Sequence, residues 1–162
     1  MSYENILQHR SATAADLRQV IGFVRNAQEL FFAYPKAVWP LDVGQLAATM
    51  AERRENTVVE FEGKVAGFAN FFQWHHGESC TLGNLMIDPE SRNLGVAQYL
   101  IGVMEALAKT RYKAHQLKAS CFSANAAGLL LYSHLGYSVE SIVERSAQDG
   151  SRLAMLQLSK DI

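Results

Sequence analysis

The chain predicts a mixed α/β fold, α+β-like in its strand pairing: one domain over residues 1–162 with a central mixed sheet of about seven strands flanked by four helices. Three observations predict it. Residues 57 to 87 hold three strand-like runs separated only by short turns, which reads as an antiparallel meander. Apolar residues at helical spacing precede and follow that meander. The chain then closes on two further strand-like runs around Asp149-Gly150, a hairpin turn. The resulting order is β-α-α-β-β-β-α-β-α-β-β.

Residues 5 to 10 read as the first strand. Ser11 or Thr13 can cap a helix running to about Gln28, with Leu17, Val20, Ile21 and Val24 as its apolar stripe. Pro35 and Pro40 bracket an aromatic connector, too short for a domain linker. A second helix is expected over 43 to 54, with Leu46, Ala47 and Met50 inward. Thr57 to Phe61 is a strand, Glu62-Gly63-Lys64 a hairpin turn, and Val65 to Trp74 the returning strand. His75 to Glu78 turn the chain again, and Cys80 to Ile87 forms the next strand, ending at Pro89.

From Gly95 to Lys109 the pattern is helical, with Ala97, Leu100, Ile101, Met104, Leu107 and Ala108 on one face and an i,i+4 pair of Glu105 and Lys109 on the other. His115 to Phe122 is a strand. Ser123 or Asn125 can cap a helix ending near Leu135, with Gly136 as its C-terminal stop. Tyr137 to Glu144 and Arg152 to Ser159 are the closing strands, and an edge strand near 137 to 159 offers a surface for pairing two copies as a homodimer.

The 162 residues suit one domain with a substantial core, and 49% hydrophobic and 19% charged residues are ordinary for a globular protein. The formal net charge of -1 argues against a nucleic-acid partner, which usually calls for a basic excess. Cys80 and Cys121 are far apart and fit no metal-ligand spacing, so buried thiols are expected. The N-terminus lacks the pattern of a secretory signal, and no apolar run approaches the roughly 18 residues that span a membrane. A cytoplasmic protein with no membrane partner is the expectation.

The most informative stretch is Ile87-Asp-Pro-Glu-Ser-Arg92-Asn-Leu-Gly95-Val-Ala97. A strand breaks at a proline, an arginine and one glycine follow, and a helix begins. Several backbone N–H groups then converge at the positive end of a helix dipole, with Arg92 near enough to add a fork of donors. This is an anion cradle suited to phosphate or pyrophosphate. A P-loop needs Gly-Lys-Ser/Thr at this junction and a dinucleotide fingerprint needs three glycines; neither is present.

Arg92-Asn93-Leu94-Gly95-Val96-Ala97 resembles the Arg/Gln-x-x-Gly-x-Gly/Ala signature of the GNAT superfamily, the acyl-CoA-dependent N-acyltransferases. The likeness extends upstream to Met86-Ile87-Asp88-Pro89. Downstream, Asn125-Ala-Ala-Gly-Leu-Leu-Leu-Tyr132-Ser-His-Leu-Gly136-Tyr137 is similar to the family's Asn-x6-Tyr-x3-Gly-Phe/Tyr block. The order of elements is also the family's, so the resemblance covers nearly the whole chain.

The resemblance implies acetyl-CoA as acyl donor, with coenzyme A as product. It implies that the N–H groups of Leu94 to Ala97 hold the pyrophosphate, where a Cβ on Gly95 would crowd the phosphate. Asn93 departs from the family's commoner glycine, but asparagine tolerates unusual backbone angles. The family's bulged strand would set Leu85, Met86 and Ile87 beside the pantetheine. Asn125 and Tyr132, seven residues apart, share a helix face about 10 Å long. The resemblance gives Asn125 to the pantetheine amides and Tyr132 to the sulfur, as general acid for the departing thiolate.

The acceptor side is less determined. The nucleophile must be a neutral amine, and alkyl ammonium groups have pKa values of about 10.4, so a proton must leave directly or through water. Many family members place a glutamate in the strand corresponding to Cys80–Ile87; this chain has no carboxylate there before Asp88. Glu78 and Glu60 are the candidates for a water-mediated base, with His75 and His76 nearby in sequence. The two adjacent histidines lack a third ligand at suitable spacing, and the Pro-Cys-x-x-Cys partner of a deaminase His-x-Glu is absent, so no metal is expected.

Tyr34, Trp39, Phe72 and Trp74 are candidate acceptor-contacting residues, with Phe31, Phe32 and Phe71 in the same segments. No acidic run points to a polyamine. Cys121, at a strand end, offers a ping-pong route, yet no base is paired with it in the sequence. The expected activity is acetyl transfer to a primary amine, of a small molecule or of a peptide or protein, by direct transfer in a ternary complex. A non-catalytic acyl-CoA-binding sensor or regulatory module is the alternative.

Overall fold

The computed structural model describes residues 6–162. It is a seven-stranded mixed sheet in the order β1-β2-β3-β4-β5-β7-β6, with helices on both faces. The strands are β1 (Leu7–Ser11), β2 (Arg54–Phe61), β3 (Lys64–His75), β4 (Ser79–Ile87), β5 (Gln116–Phe122), β6 (Ser138–Ser146) and β7 (Arg152–Asp161). Only β4 and β5 pair in parallel, and every other neighbouring pair is antiparallel. The expected first strand thus begins at Leu7, and its residue 5 lies outside the described residues.

Where one helix was expected up to Gln28, the chain forms α1 (Leu17–Val20) between two 3-10 turns, then a separate α2 (Ala27–Ala33). Val24 is extended, at φ −94° and ψ 121°, and Asn26 restarts the helix by accepting the Glu29 N–H at 2.8 Å. The interruption raises the helix count among the described residues to five: α3 (Val43–Glu52), α4 (Val96–Tyr112) and α5 (Ala126–His134) complete it. In α3 Leu46 and Thr49 are buried and Met50 packs beside them, as expected for Leu46 and Met50, while Ala47 faces solvent. Thr49 turns inward because its hydroxyl donates to Asn84 Oδ1 at 3.2 Å.

Two cores lie on opposite faces of the sheet. One packs α4 and α5 against Val59, Ala66, Ala69, Phe71 and Leu117; the other packs α1, α2 and α3 against Val58, Val65, Phe68 and Met86. The α4 stripe follows the expected spacing through Leu100, Ile101, Met104 and Ala108. Glu105, expected to pair with Lys109, instead binds Nζ of Lys160 on β7 at 3.0 Å and accepts the Tyr137 hydroxyl at 3.0 Å. β6 is an edge strand, with Val139 and Ile142 exposed. Among the described residues no helix is long and apolar enough to cross a membrane.

Two local features shape the middle of the sheet. β4 pairs with β5 only at Ser79↔Gln116, Cys80↔Leu117 and Thr81↔Lys118. Beyond Thr81, β4 stays on β3 as far as Ile87 while β5 stays on β7 as far as Phe122. The two strands therefore part, leaving Leu82–Ile87 and Ala119–Phe122 with unpaired backbone facing a wedge-shaped gap. The second feature is a bulge. Asn70 pairs with Gly83 and Phe68 with Met86, so three steps of β4 match two of β3. Asn84 sits in that bulge with a left-handed φ of 50°.

Candidate active site

Asn84 shows why the strand bends here. Its side chain is buried and bonded through both oxygen and nitrogen: Oδ1 accepts from Thr49 Oγ1 at 3.2 Å and Asn70 Nδ2 at 3.0 Å, and Nδ2 donates to the Ala33 carbonyl at 3.1 Å. Asparagine tolerates the left-handed backbone better than other side chains. The bulge is thus tied to α2, α3 and β3 together. A Gly-Asn pair inside a strand pattern is a recognisable bulge signal, and it is the signal that sequence inspection passed over.

The gap between β4 and β5 widens into a long cleft that runs to the N-terminus of α4. At that end Asn93 and Gly95 both take left-handed backbone, with φ 64° and 82°. The N–H groups of Leu94, Gly95, Val96 and Ala97 donate to no backbone carbonyl among the described residues. A Cβ built on Gly95 would meet no protein atom within 4 Å, so the space beside it is open for an anion. Leu94 turns its side chain half to solvent, while Asn93, Gly95, Val96 and Ala97 line the cleft.

Arg92 departs from its expected role. Its guanidinium donates to Glu29 Oε1 and Oε2, each at 3.2 Å, to the Phe23 carbonyl at 3.2 Å and to the Ile87 carbonyl at 3.3 Å. It clasps the end of β4 to the segment before α2 rather than offering a free fork. Burial alone would raise the Glu29 pKa, but hydrogen bonds from Arg92 and Arg25 take it down to about 2. The cradle therefore rests on backbone N–H groups rather than on this side chain.

Leu85, Met86 and Ile87 line the cleft along β4, and Asn125 and Tyr132 line it from α5. Asn125 caps α5, its Oδ1 accepting the Gly128 N–H at 3.0 Å. Its Nδ2 donates to no protein group among the described residues and remains available. Gly128 is required by this contact, since a Cβ there would fall 2.6 Å from Asn125 Nδ2 and 3.0 Å from Cys121 Sγ.

The Tyr132 ring is buried against Tyr137, edge to face at 5.4 Å. Its hydroxyl has no hydrogen-bond partner among the described residues, yet no fully buried side-chain oxygen lacks one. The hydroxyl therefore opens onto the cleft. Burial, and then the nearby Cys121, raise the phenol well above its ordinary pKa. Burial likewise pushes the Cys121 thiol up to about 11. A thiol held in that state is a poor nucleophile at neutral pH.

Of the aromatic candidates, Tyr34 and Phe72 line the cleft, and Trp39 and Trp74 do not. Trp74 packs on the α4 core beneath the Arg54 guanidinium, 4.8 Å from the ring centroid, and Trp39 is exposed on the loop before α3. Phe31 stacks on Phe122 at 4.7 Å, bridging α2 and the end of β5. Neither candidate base reaches the cleft. Glu78 lies in the turn before β4, at the end where β4 and β5 are still paired, and Glu60 is on β2, bonded to Arg10 Nε at 2.6 Å. The carboxylates that do line the cleft are both ion-paired: Glu29 as above, and Glu140 with Lys118 at 3.5 Å.

An anion cradle continued by a strand-edge channel, with a phenol on its wall, makes a cleft with the shape and polarity for an extended anionic ligand. Residues 19–137 match the family model described as "Acetyltransferase (GNAT) family". The chain belongs to that family, and it is an acyltransferase whose donor is acetyl-CoA.

Solved structures share the fold. A ribosomal-protein-alanine N-acetyltransferase from Brucella melitensis is 24% identical, with 96% of this chain and 99% of that one covered and a TM-score of 0.74. A putative acetyltransferase from Salmonella typhimurium, solved with acetyl-CoA, is 21% identical over 97% and 94%, with a TM-score of 0.73. A spermidine N-acetyltransferase from Vibrio cholerae, in complex with CoA and spermine, is 17% identical over 97% and 96%, with a TM-score of 0.80. A comparison with curated protein sequences finds no match.

Proposed function

We propose that the protein transfers the acetyl group of acetyl-CoA directly to a primary amine within a ternary complex. The observation that carries this reading is the parting of β4 and β5 after Thr81, with the unpartnered Tyr132 hydroxyl opening onto the gap. Unpaired strand edges are ready partners for the amides of an extended pantetheine arm. The free N–H groups of Leu94 to Ala97 then take the pyrophosphate, Leu85 to Ile87 flank the arm, and Asn125 Nδ2 donates to one of its carbonyls. Bound acetyl-CoA supplies an activated thioester.

The amine nitrogen forms the new bond to the acetyl carbon as the carbon–sulfur bond breaks, and the electron pair leaves on sulfur. Tyr132 donates a hydrogen bond to that sulfur. Its raised pKa makes it chiefly a hydrogen-bond donor that steadies the thiolate, since a free thiol has a pKa of about 8.5 and needs no proton to leave. The amine loses its proton to water, because the carboxylates on the cleft, Glu29 and Glu140, are both engaged by cations. The unactivated Cys121 thiol favours direct transfer over a covalent acetyl-enzyme. Two free, buried cysteines fit a cytoplasmic location.

The neighbours of this fold named above include a ribosomal-protein-alanine and a spermidine N-acetyltransferase, so both small and protein-borne amines belong in the test. Acetyl-CoA is incubated with a panel of amino acids, amino-acid amides, polyamines and peptides, and released thiol is followed with mass detection of the acetylated amine. Release of CoA coupled to one amine class is expected. A panel with no release above the uncatalysed background overturns the reading.

A further inference from the structure

Arg53 ends α3 and reaches the cleft beside the bulge of β4. Its Nη1 donates to Asn70 Oδ1 at 3.3 Å, and its guanidinium lies 5.0 Å from the centroid of the Phe72 ring. A Cβ on Gly83 would collide with Nη1, so this glycine makes room for the guanidinium against the strand. The side chain is therefore positioned by three groups: an amide, an aromatic face and a bare stretch of backbone. Those contacts use one of its five N–H groups.

Among the described residues five arginines have carboxylate partners, and of those without one, Arg18, Arg53, Arg54 and Arg145, Arg53 is held against the β4 bulge. Arg10 pairs with Asp16 and Glu60, Arg25 and Arg92 with Glu29, Arg111 with Glu55, and Arg152 with Glu144. Arg53 has no carboxylate within ion-pair distance among the described residues. Burial lowers its pKa, whereas hydrogen bonds to carboxylates raise those of Arg10 and Arg25. A half-buried guanidinium left in this state costs stability unless an anion completes it. No fully buried side-chain nitrogen lacks a partner, so its unused N–H groups open into the cleft.

The donor's phosphates are not that anion. Arg53 sits beside Gly83, about 13 Å along β4 from Ile87, where the strand leads into the cradle. It also lies on the α1–α3 face of the sheet, with Asn70 and Phe72, while Tyr132 approaches the gap from the α5 face. An anion at Arg53 thus belongs to a molecule arriving from the opposite side of the gap, where Tyr34 and Phe72 also line the wall.

We propose that the acceptor carries a carboxylate near its amine, as a free amino acid does, and that Arg53 holds that carboxylate while the amine faces the gap. This rests on the acetyl-transfer reading above. A guanidinium binds a carboxylate with two parallel hydrogen bonds, which fixes orientation as well as affinity. Polyamines are repelled at this position, and protein N-termini, with a neutral peptide group beside the amine, leave the guanidinium unsatisfied.

The test compares N-acetylated amino acids with their carboxamides, measured by calorimetry against the wild-type protein, Arg53→Gln and Arg53→Lys. Wild-type protein is expected to bind the acids at least tenfold more tightly than the amides. Arg53→Gln is expected to erase that preference, and Arg53→Lys to retain part of it, with acetyl-CoA affinity unchanged in both. Acids and amides binding wild-type protein alike, or an acid preference surviving in Arg53→Gln, overturns the proposal. The wild-type contrast decides the matter even where a variant folds poorly. CoA release from carboxylate-free amines alone sinks the Arg53 role and leaves acetyl transfer standing. No release from any amine sinks acetyl transfer, and the acid–amide contrast then decides Arg53 independently.

Discussion

Asn70 donates its side-chain amide to Asn84 at 3.0 Å, and this single buried contact joins β3 to the bulge at which β4 bends. Thr49 and the Ala33 carbonyl complete the set around Asn84, so the strand's departure from regular pairing is held from three elements. Replacing Asn84 with alanine removes all three bonds and leaves buried partners unsatisfied, at a cost on the order of 3 kcal/mol. The expected result is a melting temperature lower by about 10 °C, together with weaker acetyl-CoA binding by calorimetry. Unchanged donor affinity in a folded variant would show that the bulge does not shape the channel.

Gly95 offers a cleaner separation of binding from stability. Its φ of 82° disfavours any Cβ, at a cost of roughly 1–2 kcal/mol. That Cβ meets no protein atom within 4 Å. Gly95→Ala is therefore expected to stay folded with a small drop in melting temperature, while acetyl-CoA affinity falls at least tenfold because the methyl group occupies the anion's place. Equal affinity for wild type and variant would move the pyrophosphate elsewhere.

The Tyr132 hydroxyl supports no protein contact among the described residues, so Tyr132→Phe should change stability by less than about 0.5 kcal/mol. Its effect belongs on turnover: kcat is expected to fall on the order of a hundredfold with little change in the KM for acetyl-CoA. Because burial keeps the phenol protonated, the pH–rate profile of the wild type should show no Tyr132 step between about pH 6 and 9. An unaltered kcat in the phenylalanine variant removes the hydroxyl from the chemistry.

Stability should fall on both sides of neutrality. Glu29 and Asp16 are held at about 2, below their ordinary values of 4.5 and 3.8. Their contribution is complete above those ordinary values and is lost as pH drops towards 2, when they protonate in the folded state. Cys80 and Cys121 move the other way, up to about 11 from 9.0. Their contribution is complete below pH 9 and is lost as pH rises towards 11. Melting curves from pH 2 to 11 should trace both limbs, and Glu29→Gln should flatten the acid one while lowering stability at pH 7. An acid limb identical in that variant would contradict the Glu29 assignment.

The elements that rest on local pattern could be read directly from the chain. The Glu62-Gly63 turn and the α4 stripe both depend on residues a few positions apart. The spacing of Asn125 and Tyr132 likewise fits their lining the cleft together, one as the cap of α5 and one from its body. The break after Phe23 is where local reading faltered, because Asn26 capping outweighs a continuous helical stripe. In the site, the cradle and the α5 wall were legible, while the choice among Glu60, Glu78, Trp39 and Trp74 was not. Those side chains are near the cleft in sequence but point to other faces or ends of the sheet.

Sequence alone thus determined the order of strands, the family resemblance and the backbone cradle, since each is written in short-range spacing. Tertiary structure decided that Arg92 clasps Glu29 instead of an anion, because α2 and the end of β4 meet only in the folded chain. It also decided where β4 leaves β5 and that Arg53 reaches the gap beside the β4 bulge. Strand divergence depends on the buried contacts of Asn84 with residues 14, 35 and 51 positions away, and Arg53 meets Asn70 across 17. Such contacts carry no local periodicity, so packing alone assembles the wall of the cleft formed by Arg53, Asn84 and Phe72.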